Sequence, residues 1–166
     1  AYFVPEISPP GLDAAESLKR NYGVFSARYG NVYTARQALQ LFNRAFGQFA
    51  PQDDVWERDG RYVDAFRPRI DDHGFTTPQE VRAAAASHLA FVRRVFTESN
   101  WIMFTLGLTE CWESRLDGAV YPLAPGVAGG NFDPARYAFR NLSIHEVIAD
   151  LRAFIDAVRT VNPAVK

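Results

Sequence analysis

Ala38, Leu41, Phe42 and Ala45 recur at the three- and four-residue spacing that lines one face of a helix. Thr34 precedes them and Gln37 follows it by three, a reciprocal capping pair that fixes the helix start, while Gly47 marks its stop. Thr77-Pro78-Gln79-Glu80 gives a stronger start signal, with an N-cap threonine, a proline at the first helical position and a glutamate at the third. The helix it opens is predicted to run to about Glu98 and to bury Val81, Ala84, Leu89, Val92 and Phe96. Ser143 with Glu146 opens another, to about Val161, turning Ile144, Val147, Leu151, Ile155 and Val158 inward before Asn162-Pro163 ends it. Asp13 caps a short helix through Lys19, which Gly23 ends.

The pattern changes at Trp101. Trp101–Leu106 is an apolar run whose length and flanks predict a buried strand, and Val165-Lys166 reads as the start of another. Residues 50–76 are crowded with turn formers, and Asp59-Gly60 between Trp56 and Tyr62-Val63 fits a small hairpin. Residues 117–141, with Pro122, Pro125, Gly126, Gly129, Gly130 and Pro134, read as loop, and the first dozen residues as irregular. Helix, strand, helix and again strand is the rhythm of a parallel α/β sheet, here in a single domain over residues 1–166. One strand cannot satisfy its own backbone groups. The expectation is therefore a helix-rich α/β unit with few strands, cut from something larger at both ends, whose sheet missing chain segments or a partner chain would complete.

Composition narrows the classes of function. The chain has 166 residues, 48 % hydrophobic and 14 % aromatic, which suits one globular core. A net charge of −1, from 18 basic and 19 acidic side chains, gives no field for a nucleic-acid backbone. No apolar run reaches the roughly 18–20 residues of a membrane span and no secretory leader pattern is present, so the cytoplasm is the expected compartment. The single cysteine, Cys111, excludes an internal disulfide and a cysteine-based zinc site.

In open α/β sheets ligands bind beyond the carboxyl ends of the strands. Gly107, Thr109 and Glu110 stand there, after the predicted Trp101–Leu106 strand. Gly107 permits a close backbone approach, and the Thr109 hydroxyl can donate to a developing oxyanion. Ionised Glu110 only accepts, so it suits orienting a neighbour or holding a sugar hydroxyl. The competing reading makes Thr109 and Glu110 a strand-end cap. Trp56, Trp101 and Trp112 are candidates for stacking on sugar rings, with core packing the better reading of Trp101. Arg67 and Arg69 flank Pro68, either for an anionic sugar or as a solvated loop.

The remaining chemistry is weaker. His73, in Asp71-Asp72-His73, lacks further ligands at metal spacing, so no metal site is expected and nothing asks for a cofactor. His88 reads as a half-buried packing or capping group rather than a base, and His145 as exposed. Cys111 has no histidine near it in sequence and reads as an inert thiol.

The stretch FTLGLTECWESRLDGAVYPLAPG (Phe104–Gly126) strongly resembles the GSCFA family, whose domain is SGNH-hydrolase-like. The resemblance extends to YGNVYTARQALQLFNRA (Tyr29–Ala45), WERDGRYVDAFRP (Trp56–Pro68) and NPAVK (Asn162–Lys166). It implies a three-layer αβα, flavodoxin-like fold and a serine nucleophile activated by histidine, acting as esterase or acyltransferase on carbohydrate esters, with polysaccharide biosynthesis as a setting. Gly107-Leu108-Thr109-Glu110 occupies the place of the wider superfamily's Gly-x-Asn-Asp, putting Thr109 where an oxyanion-binding asparagine stands. Gly30 resembles the glycine whose N–H completes that oxyanion hole, and Asn31, Trp112 and Arg67 become substrate contacts. The family's Gly-Ser-Cys-Phe-Ala and a C-terminal Asp-x-x-His are absent from these residues. The chain alone is therefore expected to be inactive, and a non-catalytic module that binds glycan or protein is the alternative.

Overall fold

The structure is a computed structural model that describes Ser8 and residues 10–166; the irregular start expected before Gly11 lies, apart from Ser8 and Pro10, outside the described residues. The helices begin where their capping side chains place them. Helix α1 (Ala14–Lys19) starts at Asp13, whose carboxylate accepts the Glu16 N–H at 2.8 Å. Helices α2 (Ala35–Ala45), α3 (Pro78–Glu98) and α4 (Ile144–Val161) start after Thr34, Thr77 and Ser143, with both halves of each capping box formed. A 3-10 turn at Ser26–Arg28 precedes α2.

Two small antiparallel sheets accompany them. Strands β1 (Val55–Arg58) and β2 (Arg61–Asp64) pair across Asp59-Gly60, both left-handed as a two-residue hairpin turn requires. Strands β3 (Glu110–Ser114), β4 (Val120–Tyr121) and β5 (Tyr137–Asn141) form the second sheet in the order β4-β3-β5. The architecture is thus mixed α/β. The expected loop over 117–141 contains two of these strands, and both sheets are antiparallel where a parallel one was expected.

The largest correction concerns Trp101–Leu106, which is neither strand nor buried: Trp101 is 68 %, Met103 93 % and Leu106 57 % exposed. Trp101 is not a core residue. Only Ile102 and Phe104 turn inward, Phe104 meeting Phe154 of α4. The physical reason is support. A strand needs neighbours on its edges, and this segment touches backbone at its two ends. Lys166 N–H donates to Asn100 O at 3.1 Å and Ile102 N–H to Lys166 O at 3.0 Å, the first step of a parallel pairing between Trp101 and Lys166. At the other end Leu108 N–H donates to Tyr33 O at 3.0 Å.

One core gathers Phe42 and Ala45 of α2, Val92 and Phe96 of α3, and Phe154 and Val158 of α4. Ile144 and Ile155, expected inward, are 69 % and 38 % exposed, because α4 presents Phe154 and Val158 to that core instead. A second core joins Trp56 and Val63 of the hairpin to Tyr121 and Tyr137 of the larger sheet. Arg36 fastens the two halves: Nε donates to Asp150 at 2.9 Å, Nη1 to Glu113 at 3.2 Å and Nη2 to Glu146 at 3.4 Å, while Arg140 bonds the same two glutamates.

Candidate functional site

The Leu108–Tyr33 hydrogen bond lays the Gly107–Glu110 segment against the loop that leads into α2. A Cβ at position 107 would stand 3.3 Å from Tyr33 O, so glycine allows this approach with no displacement. Tyr33 is in turn fixed by α2, because Gln37 Oε1 accepts both the Tyr33 and Thr34 N–H groups. The rim residues and the Gly30-Asn31 loop therefore share one anchor, three residues beyond Gly30. Neither the Gly30 nor the Gly107 N–H has an acceptor among the described residues.

Thr109 is exposed, and its hydroxyl donates to Asn141 Oδ1 at 2.7 Å across the β3–β5 ladder. The Thr109 carbonyl accepts the Leu142 N–H at 2.8 Å. Glu110 is exposed at the first position of β3, opposite Asn141, rather than at the end of a preceding strand. Trp112 is half-buried, edge-on to Phe132 and Phe139 at 5.3 and 5.6 Å between ring centroids. Sequence reasoning missed Asn141, which lies in a stretch read as loop; the alternation Tyr137-Ala138-Phe139 was the signal for that strand.

Gly30 has a packing reason to be glycine. A Cβ there would lie 2.8 Å from Arg67 Cγ and 3.3 Å from Arg67 Cα. Arg67 is 4 % exposed, not a solvated loop residue, and its Nε donates to Asp64 Oδ2 at 2.8 Å and its Nη1 to Arg28 O at 3.2 Å. Gly30, exposed Asn31 and Arg67 border two adjoining clefts of about 30 and 100 Å³, the second reaching Arg69, Pro122 and Leu123.

His88 is 2 % exposed, more buried than expected, and its Nδ1–H donates to Ala27 O at 2.6 Å. Ala27 and Arg28 both have positive φ, so this bond clamps a turn that non-glycine residues adopt at a cost. Burial, followed by the charges of Arg67, Arg44 and Arg28, holds the imidazole well below its ordinary value of 6.5. The unfolded chain then takes up a proton that the folded chain refuses. The stability is fully present above 6.5 and drains away as pH falls below it, with a limiting slope of about 1.4 kcal/mol per pH unit. Urea unfolding at pH 7.5 and 5.5 should show the loss in wild type and a smaller one in His88→Gln; equal losses would contradict a neutral His88.

Cys111 is buried, and burial followed by the Glu113 charge pushes its thiol up to about 11, as befits an inert group. His73 and His145 are exposed. Among the described residues no group of three or more His, Cys, Asp or Glu side chains is placed to hold a metal ion, and no helix is long and apolar enough to cross a membrane.

A family model described as GSCFA family matches residues 14–166. No curated protein and no solved structure matches the chain.

Proposed function

The chain belongs to the GSCFA family, and from that premise we propose that it forms the oxyanion side of an SGNH-type domain that hydrolyses or transfers acyl esters of carbohydrates. The serine nucleophile and its histidine would come from segments outside these residues, which would also complete a three-layer αβα sheet along the open 101–107 backbone. The observation that carries this reading is the Leu108–Tyr33 bond, which seats the Gly-Leu-Thr-Glu rim beside the Gly30 loop with two backbone N–H groups unclaimed.

Attack on an ester carbonyl by a serine, with histidine taking its proton, leaves negative charge on the carbonyl oxygen. Donors fixed beforehand at that position stabilise the charge without reorganising. The Gly30 and Gly107 N–H groups are two such donors. Thr109 contributes in one of two ways, by donating directly or by holding the Asn141 amide through Oδ1, which leaves Asn141 Nδ2 free to donate. In a protein that carries this chain together with its Gly-Ser-Cys-Phe-Ala segment, Thr109→Ala should lower turnover of p-nitrophenyl acetate by roughly 10²-fold. An unchanged rate would remove Thr109 from the oxyanion site.

A non-catalytic module that binds a glycan or a protein is the second reading. It is favoured by one observation: among the described residues no serine hydroxyl is hydrogen-bonded to a histidine, and His88 is turned onto Ala27. Silence of the serine-bearing protein in the same assay would select it.

A further inference from the structure

Arg44 is a half-buried cation that lacks an anion. Its guanidinium carbon lies 3.7 Å from the centroid of the Phe66 ring, and no hydrogen bond or ion pair reaches it among the described residues. Asp64 is the carboxylate whose field it feels most, yet Asp64 is already bonded to Arg67 Nε and to the Phe66 N–H. Two guanidiniums therefore share one carboxylate. Taking a charge out of water without a partner costs free energy, so such an arrangement persists when something other than stability requires it.

The surroundings of Arg44 are donors. Gln37, Gln40 and Arg44 fall at i, i+3 and i+7 of α2, on one face, and line the smaller cleft together with Gly30, Asn31 and Arg67. Gln40 uses both ends of its amide on the backbone of residues 118 and 120. Gln37 uses Oε1 on the Tyr33 and Thr34 N–H groups, which leaves its Nε2 without an acceptor among the described residues. Arg67 engages Nε and Nη1 and leaves Nη2 in the same condition. No aspartate or glutamate lines this cleft. The unmatched polar groups at its wall thus include these N–H donors and a positive charge without an ion-pair partner, which suit an oxyanion, beside the Tyr29 hydroxyl, the Asn31 amide and the acceptor Nε2 of His88.

We propose that this cleft binds an oxyanion, a carboxylate or a phosphate monoester, with Arg44 as its principal partner and Arg67 Nη2 and Gln37 Nε2 as flanking donors. The adjoining cleft, the wider of the two at about 100 Å³, shares Gly30, Asn31 and Arg67 with it and is open to the rest of a ligand. Since Gly30, one of the proposed oxyanion donors, lines both clefts, the ligand is an acidic sugar ester. That identity rests on the ester reading, whereas the anion site does not.

The test is a titration of the ¹⁵N-labelled chain, followed through its arginine Nε–Hε signals, with inorganic phosphate, sodium glucuronate and glucose at constant ionic strength. The Arg44 signal, assigned by its disappearance in Arg44→Lys, should shift saturably with at least one of the two anions and stay still with glucose. Response to glucuronate alone assigns the carboxylate, and response to phosphate alone the phosphate. Arg44→Met should abolish the binding and melt no lower than wild type, since it removes an unpaired charge. Arg44→Lys, which keeps the charge but loses the planar fork, should bind at least tenfold more weakly and supplies the answer if Arg44→Met does not fold. Absence of a saturable shift with either anion, or undiminished affinity in the variants, overturns the proposal. Anion binding by a protein whose serine-bearing form cleaves no ester would leave the site standing and refute the ester reading.

Discussion

Asp64→Ala should destabilise the chain by about 3–5 kcal/mol, the range for breaking a buried ion pair from one side. The Asp64 and Arg67 side chains are 2 % and 3 % exposed, and their 2.8 Å bond is the anchor of the strap that follows β2. Removing the carboxylate leaves Arg67 buried without a counter-charge, and it takes from Arg44 the anion whose field it feels most. It also frees the Phe66 N–H, which Asp64 Oδ1 accepts at 2.9 Å. Most of the penalty belongs to the orphaned guanidinium rather than to the bond, so the double change Asp64→Ala with Arg67→Met should regain much of the loss. Urea titrations of the two single variants and the double variant give the cycle. A single-variant loss under about 1 kcal/mol would show that water reaches Arg67 freely.

Phe42→Ala comes next, also at about 3–5 kcal/mol. Phe42 is 2 % exposed, stacked on Phe46 at 4.3 Å and tilted against Phe96 at 5.4 Å, at the point where α2, α3 and α4 converge. Deleting the ring removes its transfer free energy and leaves a cavity that three capped helices cannot easily close. Against a typical domain stability of about 5–15 kcal/mol, the variant would be marginal at room temperature. Met103→Ala is the matching control. With Met103 93 % exposed, its effect should stay within about 0.5 kcal/mol. A large loss there would restore the buried strand that the apolar run suggests.

The helices were legible because their signals are local. Thr34 with Gln37, Thr77 with Glu80 and Ser143 with Glu146 fix each start through side chains three residues apart, and no distant contact is needed. Asp59-Gly60 announced its hairpin for the same reason. Trp101–Leu106 misled because hydrophobicity states what a residue would gain from burial and not whether a neighbour exists to bury it. Strand β3 was hidden by its own charge: Glu113 interrupts the apolar alternation, and its position makes sense only with Arg36 and Arg140 beside it.

The site divides along the same line. Gly107, Thr109 and Glu110 were readable as a rim, and Gly30 as a second element, but the Tyr33 carbonyl that joins them is a backbone atom with no sequence signature. Arg67 was readable as a charge and not as a buried one, because Asp64 three residues earlier carries no mark of its burial. Arg44 offered a partial signal in its i, i+3, i+7 register with Gln37 and Gln40, a polar stripe bordering the apolar face of α2.

The Arg36–Asp150 bond spans 114 residues of chain, and it has a consequence in time. During synthesis at roughly 5–20 residues per second, α2 leaves the ribosome on the order of ten seconds before α4. Once α3 has followed, the Phe42 face has that helix to rest on but still lacks Phe154 and Val158, while Arg36 has none of its α4 carboxylates. The three helices have their own start signals, but the core they share closes only when the last of them arrives. The nascent chain is thus most exposed to chaperones, and most prone to wrong association, in the interval between the synthesis of α2 and that of α4.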